Sequence, residues 1–183
     1  MSLSLTGGAF NGMALKTPTG MNLTRPTSGK VRQALFNVLR GAFEDGDFLD
    51  LFAGSGAVGL EALSRGARRA VLVENHPAAL RVLEANCRLL LSREADPDAL
   101  EWTKREARAY CKAAAAAGTR FAVVFADPPF DQDFTGLWDA MRPLVASNGI
   151  GIVQFPSRTP PDFAPQADRL LEYGESTLAI FRV

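Results

Sequence analysis

The chain has 183 residues, 47% of them hydrophobic and 22% charged, with 20 basic against 20 acidic side chains. That is enough for one ordinary domain with a small appendage; no run approaches the roughly 18 apolar residues of a membrane span and no secretion signal opens the sequence, so a soluble cytoplasmic protein is expected. Two cysteines without a C-x-x-C partner and a single histidine exclude the common zinc patterns and a disulfide framework, and no metal is expected.

The first 43 residues contain no Asp or Glu and five basic residues, Lys16, Arg25, Lys30, Arg32 and Arg40, which leaves 15 basic against 20 acidic residues over the remaining 140. A basic front on an acidic body suggests that a polyanion meets the N-terminal stretch; a merely solvated face has the same composition. Residues 2–6 and 13–17 read as a short hairpin joined across Gly7, Gly8, Asn11 and Gly12, and a turn-rich stretch follows over 18–27. Val31, Leu35, Val38, Leu39 and Ala42 then recur at helical spacing, with Thr27 or Ser28 as N-cap and Gly46 as the stop. Residues 1–46 are thus read as an extension and 47–183 as the main domain.

From Asp47 the pattern alternates strand and helix. FLDLF (48–52) is an apolar run holding a carboxylate, Val58 to Ser64 is helical and ended by Gly66, and AVLVE (70–74) is the next strand. A helix over 77–92, a strand over 99–103, a helix over 107–117 stopped by Gly118, and the strand FAVVFA (121–126) follow. A last helix over 134–145 precedes GIGIVQF (149–155). Alternation of this kind predicts an α/β fold with a parallel sheet covered by helices on both faces. After the proline-rich connector PSRTPPDFAP (156–165), residues 168–173 and 177–183 read as an antiparallel hairpin at one side of the sheet. Cys87 and Cys111 read as buried packing residues, and His76, just before Pro77, as a helix cap or surface residue.

Gly54-Ser55-Gly56-Ala57-Val58-Gly59 satisfies G-x-G-x-x-G, a turn that suits any ligand approaching the backbone closely. In parallel sheets ligands bind beyond the carboxyl ends of the strands, here at the end of 48–52. Glu74 closes the second strand, where a carboxylate can accept hydrogen bonds from the ribose hydroxyls of an adenosine. Asp50 tells the adenosine cofactors apart: it would repel a pyrophosphate and attract a ligand bearing an ammonium and a sulfonium. A helix-capping Asp is the alternative reading. Past the third strand, Glu106 is a candidate for the adenine amino group, with a solvated helix-start glutamate as its alternative.

FAVVFADPPF (121–130) carries the strongest chemical signal. A buried strand ending in Asp127-Pro128-Pro129-Phe130 sets a carboxylate, a rigid turn without two backbone donors, and an aromatic ring beside the cofactor cleft. That inventory suits a planar amine: Asp127 accepts one N–H, a main-chain carbonyl the other, and Phe130 stacks on the ring. A packing loop with Asp127 as a turn cap is the alternative.

With these residues in place, the sequence resembles the class I S-adenosylmethionine-dependent methyltransferases with the amino-methylating [DNS]-P-P-[FYW] motif, and more specifically the RsmD family, which methylates the exocyclic N2 of a guanine in 16S ribosomal RNA. The likeness runs through Thr6-Gly7-Gly8, Arg25-Pro26-Thr27, Val31 to Asn37, Phe48 to Gly66, Asp127 to Phe130 and Tyr173-Gly174. It implies a Rossmann-like seven-stranded sheet with a reversed last strand. It also implies S-adenosylmethionine contacts over Asp50, Phe52, Ala53, Gly54, Ser55 and Gly56, at Glu74 and Asn75, and at Glu106 and Ala107. Asp127, Pro128, Pro129 and Phe130 would be the catalytic clamp, and Lys16, Arg25, Thr27, Lys30 and Arg32 would face small-subunit RNA, bare or in a ribosomal particle, in a monomeric enzyme. The chain departs from the family where a Trp-Arg-Gly-Arg-like run is replaced by Phe10-Asn11-Gly12-Met13, and where Thr-Asp-Arg-Val-Arg-Glu is replaced by Ser28 to Gln33, which implies fewer phosphate contacts. Competing readings are methylation of adenine N6 or a protein amide, a nicotinamide oxidoreductase, and an inactive RNA-binding relative. The oxidoreductase lacks both a substrate domain and a plausible proton-donating histidine.

Overall fold

The computed structural model describes residues 3–18, 29–43 and 46–183. Seven strands form one sheet: β3 (Asp47–Asp50), β4 (Arg69–Glu74), β5 (Leu100–Lys104), β6 (Phe121–Ala126), β7 (Val145–Pro156), β8 (Arg169–Tyr173) and β9 (Ser176–Arg182). Their order is β5-β4-β3-β6-β7-β9-β8. The pairs from β5 to β7 are parallel, while β9 runs antiparallel between β7 and β8, so the closing hairpin lies at the sheet edge and its last strand is reversed.

Burial explains why the central strands are apolar throughout. On β6, Val123 and Phe125 face a core with Val31, Leu35 and Phe36 of α1 (Gly29–Val38) and with Val58 and Ala62 of α2 (Ala57–Ser64). Their neighbours Val124 and Ala126 face the opposite core, with Ala107 and Cys111 of α4 (Ala107–Ala116) and Leu137, Trp138 and Met141 of α5 (Leu137–Met141). Period-two alternation thus feeds two apolar layers, as a doubly covered sheet requires. A third cluster joins α3 (Pro77–Leu91), through Leu83, Cys87 and Leu90, to Leu60, Leu72 and the N-terminal hairpin.

That hairpin is β1 (Leu3–Ser4) paired with β2 (Ala14–Leu15). Its loop seals the end of α2: Ala9 N–H donates to the Ser64 carbonyl at 2.6 Å, and Ser64 Oγ donates to the Gly7 carbonyl at 2.6 Å. Gly8 makes this approach possible, because at φ +79° a side chain there would run into the Ser64 backbone.

Two helices differ from expectation. The first ends at Val38 rather than running on to Gly46, with Gly41 at φ +77° turning the chain. The helix expected over 134–145 shrinks to α5, since Gly136 at φ +63° delays its start and Pro143 sits in a 3-10 turn. Proline has no N–H to continue an α-helix, and Val145 already pairs with Phe121 as the start of β7. Both expected helices ran across residues whose backbone requirements end or delay them. Thr27 and Ser28, the expected caps, lie outside the described residues. Among the described residues, no helix is long and apolar enough to cross a membrane.

Candidate active site

Three carboxylates converge where β3, β4 and β6 end. Asp50 closes β3, Glu74 closes β4 and Asp127 follows β6, and the parallel register that pairs Asp50 with both Leu72 and Phe125 sets the three strand ends side by side. Asp50 is 1% exposed. Burial pushes its carboxyl up to about 8, Asp127 and Glu74 push in the same direction by repulsion, and N–H groups of Phe52 and Gly59 oppose the shift. Phe52 N–H donates to Asp50 Oδ1 at 3.3 Å. The Gly59 contact lies in the first turn of α2, so the helix-capping reading of Asp50 describes part of what it does, although the N-cap itself is Gly56 with no side-chain bond.

The glycine loop lies against this cluster. Gly54 has φ +57°, and the direction its missing Cβ would take meets nothing within 4 Å, which leaves the backbone open to a ligand. Gly56 has φ +82°, and a Cβ there would lie 2.6 Å from Leu83 Cδ1. Gly54 N–H donates to Glu74 Oε2 at 2.7 Å, and the N–H groups of Asn75 and His76 donate to Glu74 Oε1 at 2.8 and 2.7 Å. Three main-chain donors therefore hold the Glu74 carboxylate in one orientation. Ala53 ties the loop to the sheet by donating to the Val73 carbonyl at 2.9 Å; Phe52 is half-buried, Ser55 buried and Asn75 exposed.

The Asp127-Pro128-Pro129-Phe130 stretch follows β6 directly. Asp127 is half-buried, Pro128 buried, and Phe130 stands 45% exposed, three residues after Asp127 in the chain. The segment after it is pinned from α4: Arg108 Nη2 donates to the carbonyls of Asp133 at 3.1 Å and Thr135 at 2.7 Å. Asp133 accepts the Thr135 N–H at 2.9 Å, and hydrogen bonds from Thr135 hold its carboxyl below the usual range.

Glu106 N-caps α4, accepting from Arg108 N–H at 2.9 Å and Ala109 N–H at 2.7 Å, with Ala107 buried behind it. Its bonds are those of the helix-start alternative. His76 likewise caps α3 through Nδ1, at 3.3 Å from the Ala78 nitrogen, and both cysteines are buried.

The basic residues of the extension divide. Lys16 is exposed beside β2. Arg25 and Thr27 lie outside the described residues, as does the side chain of Lys30. Arg32 is corrected: it is 1% exposed, and its Nε donates to Glu61 Oε2 at 2.6 Å while Nη2 bonds the Ser4 carbonyl, so it serves the fold and does not face a polyanion. Net charge counts every arginine alike and cannot see that one has an internal partner. Glu61, Asn86 and Arg108 were not singled out by the sequence reading. The signal for the first two was a polar residue inside an apolar helical face, Leu60-Glu61-Ala62 and Leu83-Asn86-Cys87-Leu90.

Residues 3–182 match the model of the family described as Conserved hypothetical protein 95. The chain is 37% identical over 150 residues to the ribosomal RNA small subunit methyltransferase D of Escherichia coli K12, covering 80% of this chain and 68% of that protein. It is 35% identical over 131 residues to YlbH of Bacillus subtilis 168, covering 71% of this chain and 68% of that protein. A solved structure of a hypothetical protein from Thermus thermophilus superposes with a TM-score of 0.84 at 34% identity, over 99% of both chains.

Proposed function

The chain belongs to the Conserved hypothetical protein 95 family, that of the RsmD methyltransferases, and from this membership and the geometry of the site we propose that it transfers a methyl group from S-adenosylmethionine to the exocyclic N2 of a guanine in small-subunit ribosomal RNA. The observation that carries the reading is Asp50: a fully buried carboxyl, pushed up to about 8, facing Glu74 and Asp127 beside the open backbone of Gly54. Three acidic groups that repel one another favour a cationic ligand.

The residues present fit the cofactor. Asp50 and the loop from Phe52 to Gly56 would hold its amino-acid end, Glu74 with Asn75 the ribose, and Glu106 with Ala107 the adenine edge. When bound, the sulfonium supplies an electrophilic methyl group. The remaining work belongs to the chain. Asp127 accepts one N–H of the guanine amine, a carbonyl of the proline turn accepts the other, and Phe130 stacks on the base turned out of its helix. Aiming the nitrogen and placing negative charge beside the cation that develops on it lower the barrier without a strong base, since the proton becomes acidic only as the N–C bond forms. Lys16, Arg25, Thr27 and Lys30 would meet the RNA backbone, and the enzyme would act as a cytoplasmic monomer on RNA or on a ribosomal particle.

The deciding experiment incubates methyl-labelled S-adenosylmethionine with unmodified small subunits or their naked RNA, followed by nucleoside analysis. Label is expected in N2-methylguanosine and should fall by about 10²-fold or more in Asp127→Ala at saturating cofactor. Label in another nucleoside would keep the transfer and overturn the guanine assignment. No label, from protein that binds the cofactor, would overturn the RNA substrate.

A further inference from the structure

Asn86 is the one strongly polar side chain on the buried face of α3, and it is 0% exposed. Its Nδ2 donates to the Ser55 carbonyl at 2.8 Å and to the Lys16 carbonyl at 3.0 Å, while its Oδ1 accepts the Lys16 N–H at 2.8 Å. Two carbonyls and one N–H fix the orientation of the amide, because the flipped form would oppose like groups at all three contacts. A single side chain thus uses both amide hydrogens and its oxygen to join two stretches remote in sequence: the back of the glycine loop and the chain leaving β2.

We propose that Asn86 is a positioning residue that transmits occupancy of the cofactor loop to Lys16, so that cofactor and RNA strengthen each other's binding. The RNA half rests on the function proposed above; the link from loop to Lys16 does not. Ser55 lies between the two left-handed glycines of the loop, and the Gly54 N–H on its other side bonds Glu74, so a ligand that orders this turn orders the Ser55 carbonyl with it. The same amide grips both backbone groups of Lys16, whose side chain is exposed. Asn86 is itself completely buried and its bond to Ser55 is buried, while its two bonds to Lys16 reach toward the surface, so a shift of the loop must either move Lys16 or strain the hydrogen bonds of a buried amide. Coupling between two ligands is reciprocal, and it arises here if ordering the loop carries the shared Asn86 amide, and Lys16 with it, into one of two arrangements.

The test compares wild type with Asn86→Asp, which keeps the acceptor for the Lys16 N–H but turns a carboxylate toward two carbonyl oxygens. Amide exchange across residues 13–18 is followed by mass spectrometry with and without S-adenosylhomocysteine. Exchange is expected to slow about fivefold or more on ligand addition in wild type, and to be unaffected by ligand in Asn86→Asp at saturating concentration. Ligand-independent exchange in wild type overturns the proposal whether or not the variant folds, and so does an equal response in both proteins. In parallel, the affinity for transcribed small-subunit RNA is measured with and without S-adenosylhomocysteine. A purely structural role would weaken both affinities and leave their ratio intact, whereas loss of the ratio in Asn86→Asp supports the link. If no form binds the RNA, the RNA substrate is withdrawn and the exchange result alone decides the role of Asn86.

Discussion

Asp50 and Glu61 are both fully buried carboxylates, one at the end of β3 and the other on the next helix, yet their surroundings are opposite. Glu61 is enclosed by its own counter-charges. Arg32 Nε lies 2.6 Å from Oε2, Arg65 Nη2 lies 2.7 Å from Oε1, and both the hydroxyl and the N–H of Thr6 bond it as well. Arg65 in turn stacks over Phe36 with its guanidinium 5.0 Å from the ring centre. The N-terminal hairpin, α1 and α2 meet at that one carboxylate. Asp50 has two backbone N–H groups against it and two more carboxylates as its charged neighbours. A buried acid whose cations are supplied by the chain joins elements of the fold; a buried acid facing other acids is, on the function proposed above, the place for a cation that comes from outside.

Removing the charge at each position separates the two roles. Glu61→Gln should show the larger effect, because it strands a buried Arg32 and a partly buried Arg65: unfolding in urea is expected to lose about 3–5 kcal/mol. A loss below about 1 kcal/mol would mean that the network does not anchor the extension. Asp50→Asn should weaken S-adenosylmethionine binding by roughly ten- to a hundredfold, about 1.4–2.7 kcal/mol, without weakening the fold.

The sign follows from the direction of its shift. Between the ordinary Asp value of 3.8 and the folded value of about 8, the folded chain holds the proton that the unfolded chain has released. This group therefore erodes stability as pH rises through that window, and Asn removes the erosion. Melting temperatures of variant and wild type should accordingly converge near pH 4 and diverge in favour of Asp50→Asn toward pH 8. Convergence at every pH would show that Asp50 ionises freely and that the acidic cluster is not primed for a cation.

The same shift predicts a proton released on binding. S-adenosylmethionine affinity should rise with pH between 6 and 8, by at most about tenfold per unit, since a bound cation favours the ionised carboxylate. S-adenosylhomocysteine, which lacks the sulfonium, should show a shallower slope. Calorimetry in two buffers of different ionisation enthalpy measures the released proton directly, and equal slopes for the two ligands would place the sulfonium away from Asp50. The smallest effect is expected at Arg108, whose guanidinium bonds the main-chain carbonyls of Asp133 and Thr135, after Phe130. Arg108→Met should slow transfer roughly tenfold by loosening the segment after Phe130, while leaving cofactor affinity unchanged in an equilibrium titration.

Much of this was legible in the sequence, because local order and composition encode it. Alternating apolar runs placed each strand of the sheet, and the glycine loop and the stretch from Asp127 to Phe130 lie at strand ends where parallel sheets bind ligands. Pro77 and His76 marked a helix start that is present, with the histidine as its cap. Where local rules compete, the reading slipped: apolar spacing carried the first helix past Gly41, and the last helix was drawn through Pro143, whose backbone needs end it.

Partnership was beyond its reach. Arg32 looked like any other member of a basic front until Glu61, from another helix, enclosed it; Asn86 looked like a helix residue until the folded chain set Ser55 and Lys16 against it. The sequence by itself determined which residue types stand at strand ends, and so the class of ligand the sheet can hold. Only the tertiary structure decided which charges are neutralised within the chain and which await a ligand, because Coulomb energy and desolvation depend on distance and burial, and both arise between residues that the sequence keeps far apart.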